Sequence, residues 1–261
     1  MRWQQFVLRL VSESVSLTQR THTPKQGLRI LMYHSIGSCT HGDNLGLNTV
    51  SVARFIQDLD IIETMNSVAL TPMLIPQAEL SVAVTFDDGY ADNLYVAAPL
   101  LAERNIPFTV FIASDFIQRR VKGFLTPNEL KQLSMVPGAT IGAHSHTHCN
   151  LTQCSDKKLR TELEYSKHYI EDLIGMRVTE FAYPFGLADM RVRDTVQRAG
   201  YELGTCSRFD INRPDRDMLM LNRCVILGSD TSRVFQQKLR GDWDWYRWRS
   251  VDPLNVKVAA A

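Results

Sequence analysis

Short apolar runs alternate along the chain with stretches whose apolar residues recur at helical spacing. The run 28–33 (LRILMY) predicts a buried strand, and Phe55, Leu59 and Ile62 then fall on one helical face. The run 82–86 (VAVTF) predicts a second strand, followed by a helix over about 92–104. Residues 108–113 (FTVFIA) are rich in β-formers and predict a third. Thr126-Pro127-Asn128-Glu129 joins a capping box to a proline at the first helical position, which predicts a helix start. Residues 139–143 predict another strand. From 155 to 174 Leu159, Leu163, Ile170 and Ile174 repeat at helical spacing, and Gly175 can end that helix. A strand over 178–183, a helix over 188–199 closed by Gly200, and strands over 201–206 and 224–227 complete the series.

Strands alternating with helices predict a mainly parallel sheet. Such sheets carry their chemistry at the carboxyl ends of the strands. The residues there are His34, Asp87 and Asp88, Ser114 and Asp115, His144 to His148, and Pro184 to Gly186. At 261 residues and 44% hydrophobic, one α/β barrel fits the length as well as two small domains do. With 29 basic and 28 acidic side chains the net charge is +1, so no field of one sign is implied and nucleic acid is not an expected partner.

The five cysteines, Cys39, Cys149, Cys154, Cys206 and Cys224, are odd in number and contain no C-x-x-C. They read as free thiols in a reducing compartment rather than a disulfide framework, with Cys149 a bystander to the neighbouring histidines. The opening MRWQQFVLRLVSESVSL is broken by Arg9 and Glu13 and lacks a small-residue cleavage site, so it is a poor signal peptide. Trp3, Phe6, Val7, Leu10 and Val11 share one helical face, which permits a helix lying on a membrane surface as well as one packed on the domain. No run approaches the about 20 apolar residues that span a bilayer. The resulting expectation is a cytoplasmic protein with peripheral contact at the inner membrane face.

Three motifs carry chemistry. Asp87 and Asp88, in TFDDGY, are adjacent carboxylates that repel each other unless a cation sits between them. One can ligate a metal while the other accepts a proton; an Asp-Gly turn is the plainer alternative. His144-Ser145-His146-Thr147-His148 places three histidines in five residues, which packing does not explain and metal ligation does. A helical turn brings His144 and His148 together, whereas an extended segment puts all three on one face. One carboxylate and two histidines leave open positions for water and substrate. A divalent cation there lowers the pKa of water and polarises an acyl oxygen, and the second carboxylate is placed to take the proton. Phe181-Ala182-Tyr183-Pro184-Phe185-Gly186 reads as a strand leaving through a proline turn, with aromatic side chains that suit the apolar faces of a sugar.

TFDDGY, then H-S-x-x-H, then AYPFG, in this order, resemble the polysaccharide deacetylases of the NodB-homology group, carbohydrate esterase family 4. The opening LMYHSIG resembles the start of many members, and the resemblance covers about 28–227. It implies an α/β fold, a deformed (β/α) barrel of seven strands in a single domain. The organisation expected is an N-terminal helical extension over 1–26, the barrel over 27–241 and an aromatic-rich tail over 242–261. The resemblance implies a divalent metal, zinc foremost with cobalt, nickel or manganese as alternatives, held by Asp88, His144 and His148. Asp87 is then the general base that activates water. The Phe185 N–H helps hold the oxyanion, and Tyr183 and Phe185 line the acyl pocket or sugar groove.

Two departures stand out. Ala182 occupies the position where many members carry the arginine that orients the base, and Arg223 is the candidate replacement. The late Leu-x-His is missing, so the general acid is unassigned, with His34 and water as candidates. The activity implied is removal of an N-acetyl or other N-acyl group from an amino sugar in a polysaccharide, oligosaccharide or lipid-linked glycan. The alternatives are hydrolysis of another carbon–nitrogen bond, such as a cyclic imide or ureide, and a glycan-binding module without turnover.

Overall fold

The computed structural model describes residues 11–15, 26–38, 43, 46–72 and 79–249. Its centre is a sheet of seven parallel strands: β1 (Gly27–Tyr33), β2 (Leu80–Phe86), β3 (Phe108–Ile112), β4 (Ala139–Ala143), β5 (Glu180–Ala182), β6 (Leu203–Thr205) and β7 (Cys224–Val225). They follow one another around the sheet in chain order, with β7 returning to pair with β1. Leu221, just before β7, bridges Thr205 of β6. The segment 221–225 therefore touches both ends of the sheet and closes it into a deformed barrel.

Both faces of the strands are buried, which is why their sequences are continuous apolar runs rather than alternating ones. Leu28, Ile30, Ala83, Phe111, Ala182, Leu203 and Leu221 form a small cluster. Leu31, Tyr33, Val82, Val84 and Phe86 belong to the larger core. Neighbouring positions of one strand thus fall in different clusters, as the period-2 pleat requires.

The helices are α1 (Val52–Ile62), α2 (Ala98–Glu103), α3 (Ser114–Gln118), α4 (Pro127–Ser134), α5 (Asp156–Ile174), α6 (Met190–Arg198) and α7 (Ser232–Arg240). The Thr126 capping box forms with both of its hydrogen bonds, and Gly175 ends α5 in the left-handed conformation. The single helix expected over 92–104 is instead a π-helical turn, Asn93–Ala97, running into α2. Pro99 lacks the N–H that would bond Tyr95 in a continuous α-helix, and the wider turn accommodates that gap.

Residues just past 241, expected to begin the aromatic-rich tail, make contacts with the barrel. Asp244 accepts two hydrogen bonds from the buried Arg29 of β1, and Trp243 is buried. Asp244 thus supplies the counter-charge that the buried Arg29 needs. Of the N-terminal extension, residues 11–15 are helical, and Ser12 accepts a hydrogen bond from Trp245. Trp3, Phe6, Val7 and Leu10 of the expected membrane face lie outside the described residues, as does Cys39. Among the described residues no helix is long and apolar enough to cross a membrane.

Candidate active site

Asp87 directly follows β2 and continues its ladder, its N–H donating to Tyr33 O at 3.0 Å. Pleating puts Thr85 and Asp87 on the same face of the sheet, the face that Arg223 reaches just before β7. Arg223 is fully buried and donates to both carboxylate oxygens of Asp87, at 2.6 and 2.7 Å. Its remaining donors meet Cys206 O and Thr85 Oγ1, and its guanidinium lies over the Phe111 ring. Burial by itself raises the Asp87 carboxyl, but the facing Arg223 charge, assisted by His144, outweighs it and holds the group well below the usual carboxylate range. Arg223 is a core residue, not a surface arginine, and meets the carboxylate that Ala182 cannot reach.

Asp88 breaks the strand's alternation. Its φ of 73° lies in the left-handed region, and Gly89 follows at 81°. Asp88 Oδ1 sits 3.7 Å from His144 Nε2 and 3.4 Å from His148 Nε2. It is buried and accepts no hydrogen bond. Burial, with the Asp88 charge beside it, pushes the Tyr90 phenol up.

His144 extends β4, its N–H donating to Ile112 O at 2.8 Å. Its Nδ1–H donates to Ala182 O at 2.7 Å, which leaves Nε2 as the lone-pair nitrogen facing Asp88. Burial, reinforced by His148 and opposed by Asp87, pushes the imidazole down to about 4. It is therefore neutral at physiological pH and free to donate its lone pair.

The H-S-x-x-H segment is neither helical nor extended. Ser145 and His148 both have left-handed φ, 61° and 53°, and Ser145 Oγ accepts the His148 N–H at 3.1 Å. That turn swings His148 back until its ring centroid lies 4.8 Å from that of His144. His146 points elsewhere, bonded to Ser114 Oγ through Nδ1 at 2.9 Å and packed on Tyr165. The loop is held from α5 by Glu162, which accepts from Thr147 N, Thr147 Oγ1 and His146 N.

The ligand atoms of Asp88, His144 and His148 all lie within 4.8 Å of one another. Nitrogen and oxygen donors each about 2.1 Å from one cation sit about 3.4 Å apart at tetrahedral angles, the scale of the separations here. The unpartnered Oδ1, the neutral His144 and the mixed nitrogen–oxygen set all fit a divalent cation.

Two expectations about the groove diverge. Tyr183 is fully buried and donates its hydroxyl to Leu219 O at 2.8 Å. Its expected place on the groove wall is therefore corrected: the phenol is satisfied inside the core and presents no face to a sugar. Phe185 is 60% exposed at a φ of 59°, with its ring 4.7 Å from His148. An open cavity of about 480 Å³ reaches Asp88 and His148. Its wall includes Tyr90, Phe124 and Phe116, with the Tyr90 ring stacked on Phe124 at 4.6 Å and the Phe116 ring tilted against Phe124 at 4.5 Å. Glu162 and the Phe116–Phe124 wall were not among the sequence candidates. Glu162 was signalled by its place three residues after Leu159, on the buried side of α5; the wall has no such local sign, because Phe116 and Phe124 meet across a turn.

The family description "Polysaccharide deacetylase" matches residues 75–204, which span Asp87, Asp88 and the whole H-S-x-x-H turn. The chain belongs to the polysaccharide deacetylase family. Among relatives of this family, YxkH of Bacillus subtilis (strain 168) is 27% identical over 212 residues, covering 78% of this chain and 72% of YxkH. A peptidoglycan-N-acetylglucosamine deacetylase of Bacillus cereus is 29% identical over 130 residues, 49% of this chain and 57% of that protein. Among solved structures, the Streptococcus pyogenes deacetylase PplD, in complex with acetate, superposes with a TM-score of 0.72 at 25% identity, covering 83% of this chain and 99% of PplD. The deacetylase barrel thus accounts for most of the chain.

Proposed function

We propose that the chain is a metal-dependent hydrolase that removes an N-acetyl or other N-acyl group from an amino sugar of a glycan. The observation that carries this reading is the Asp88–His144–His148 trio set beside a separate carboxylate, Asp87, whose ionised form is fixed by Arg223. In this reading the trio holds the cation, zinc foremost. When bound, the cation supplies Lewis acidity that makes water acidic enough for a weakly basic carboxylate to deprotonate.

The remaining steps belong to the chain's own side chains. Asp87 accepts the proton of the attacking water, and Arg223 keeps that carboxylate ionised and aimed. His144 is oriented by Ala182 O, and its neutral form keeps Nε2 available. The Phe185 N–H, on the strained turn after β5, is assigned to the oxyanion of the tetrahedral carbon. Phe185 and the Tyr90–Phe116–Phe124 wall offer apolar faces to the sugar. His34 is the candidate donor to the leaving amine. It follows β1, its Nδ1 is buried without a hydrogen-bond partner, and its backbone carbonyl is held by Asn93 Nδ2 at 2.8 Å.

The test is amine release from N-acetylglucosamine oligomers by metal-reconstituted protein, with Asp87→Asn in parallel. Release by the wild type alone supports the assignment. Equal glycan binding by both proteins with turnover by neither would sink it in favour of a binding module.

A further inference from the structure

Cys149 and Cys154 bring two free thiols together in the loop that follows His148. Their Sγ atoms lie 3.5 Å apart, and both side chains are half-buried. A disulfide needs about 2.0 Å, so the sulfurs are in contact and a closure of about 1.5 Å joins them. Cys206 and Cys224 are buried.

The chain between the two thiols is already folded into a tight return. Asn150 caps a short 3-10 turn, Leu151–Gln153, by accepting the Thr152 N–H at 3.1 Å. Leu151 is fully buried and anchors that turn in the core. Cys154 N–H donates to Leu151 O at 3.2 Å, and Cys154 Sγ contacts Asn150 O at 3.6 Å. The next residue, Ser155, caps α5. Cys149 is therefore fixed by the His148 turn and Cys154 by the helix start, and neither needs to search for the other. This prior ordering favours an intramolecular bond over a lasting adduct with a small thiol.

We infer that Cys149 and Cys154 are a reversible disulfide site, oxidised by small aliphatic disulfides of the glutathione type. In the first exchange one cysteine loses its proton and attacks a sulfur of the oxidant. The oxidant's S–S bond breaks, a mixed disulfide forms, and one small thiol leaves. The second cysteine loses its proton and attacks the protein-bound sulfur, forming the Cys149–Cys154 bond and releasing the second small thiol. Two protein S–H groups become one S–S bond, and the oxidant takes up two electrons and both protons. The ring ties the residue after His148 to the residue before the Ser155 cap. The same loop is thereby fastened to α5 covalently as well as through Glu162. This site stands independently of the deacetylase reading.

The experiment uses the full chain, fully reduced and then equilibrated with oxidised glutathione. Thiols are counted in denaturant, and peptides are mapped by mass spectrometry without reduction. The expected result is loss of two of the five thiols, with two hydrogens missing from the peptide carrying both Cys149 and Cys154. No glutathione is retained there, and dithiothreitol reverses the change. Cys154→Ser keeps its Cys149 thiol or carries a glutathione adduct, and never shows the two-hydrogen loss. The inference is overturned if the wild-type peptide is unchanged, if glutathione persists on either cysteine, or if Cys149 pairs elsewhere. The wild-type map decides the matter even if the serine variant fails to fold.

Discussion

Asp87 and Arg223 face each other through two parallel hydrogen bonds of 2.6 and 2.7 Å, with neither side chain open to solvent. A fork-to-fork pair of this kind fixes orientation as well as charge. Replacing Arg223 by Gln leaves a buried carboxylate without its counter-ion. A stability loss of about 3–5 kcal/mol is expected by denaturant unfolding at neutral pH. The acid limb of kcat/KM moves to higher pH, because the interaction that holds the Asp87 carboxyl down is gone. Arg223→Lys keeps the charge but not the fork, and a fall of roughly 100-fold in kcat/KM is expected from the misplaced base. An unmoved acid limb in Arg223→Gln would sink the orienting role.

The three histidines of the H-S-x-x-H turn separate cleanly. His148 faces Asp88, whereas His146 faces Ser114 and Tyr165. His148→Gln is expected to lose bound metal on dialysis, and His146→Gln to keep it, as read by elemental analysis. Asp87→Asn is expected to keep its metal while losing turnover. Metal loss in the His146 variant equal to that in the His148 variant would refute the assignment.

Glu162 supplies the acid sensitivity of the loop. Burial raises its carboxyl, but the Thr147 N–H and hydroxyl, with Lys158, outweigh this and lower it. A lowered folded-state value means that the unfolded chain binds the proton more readily. The contribution is therefore complete above the ordinary glutamate range of about 4.3 and lost as pH falls through the lower folded value. Glu162→Gln is expected to cost about 1–3 kcal/mol at pH 7, with the gap to wild type narrowing under acid. Urea unfolding across that range measures it, and a gap that widens on acidification would contradict it.

Gly142 has no room for a side chain. A Cβ there would lie 2.5 Å from the Phe111 ring and 3.0 Å from Glu180 O. Gly142→Ala is expected to destabilise the fold by about 1–3 kcal/mol. Because Phe111 also carries the Arg223 guanidinium, activity should fall at temperatures where the variant is still folded. Thermal unfolding and amine release on one preparation separate the two effects.

The barrel and the reactive groups were legible because their signals are local. Apolar runs mark strands buried on both faces, Thr126-Pro127-Asn128-Glu129 marks a helix start, and paired carboxylates followed by spaced histidines mark a ligand set. What stayed hidden depends on contacts remote in the chain. Nothing near Tyr183 indicates that Leu219 O will take its hydroxyl. Nothing near Arg29 indicates that Asp244 will answer its charge. The His148 turn was also obscure, since left-handed φ is uncommon at any residue other than glycine. Such strain is sustained by surroundings, here Ser145 Oγ and the Glu162 bracket.

The closing segment 221–225 gives the barrel a temporal order. All three candidate ligands have been synthesised by residue 148, but the guanidinium that fixes Asp87 arrives only at residue 223, beside the strand that completes the ring. A chain ending before residue 223 would keep all three candidate ligands in its sequence and lack the side chain that orients Asp87. On the proposed reading, the candidate ligand trio and the group that aims the base are therefore drawn from separate stretches of the chain, and only closure of the barrel brings them together.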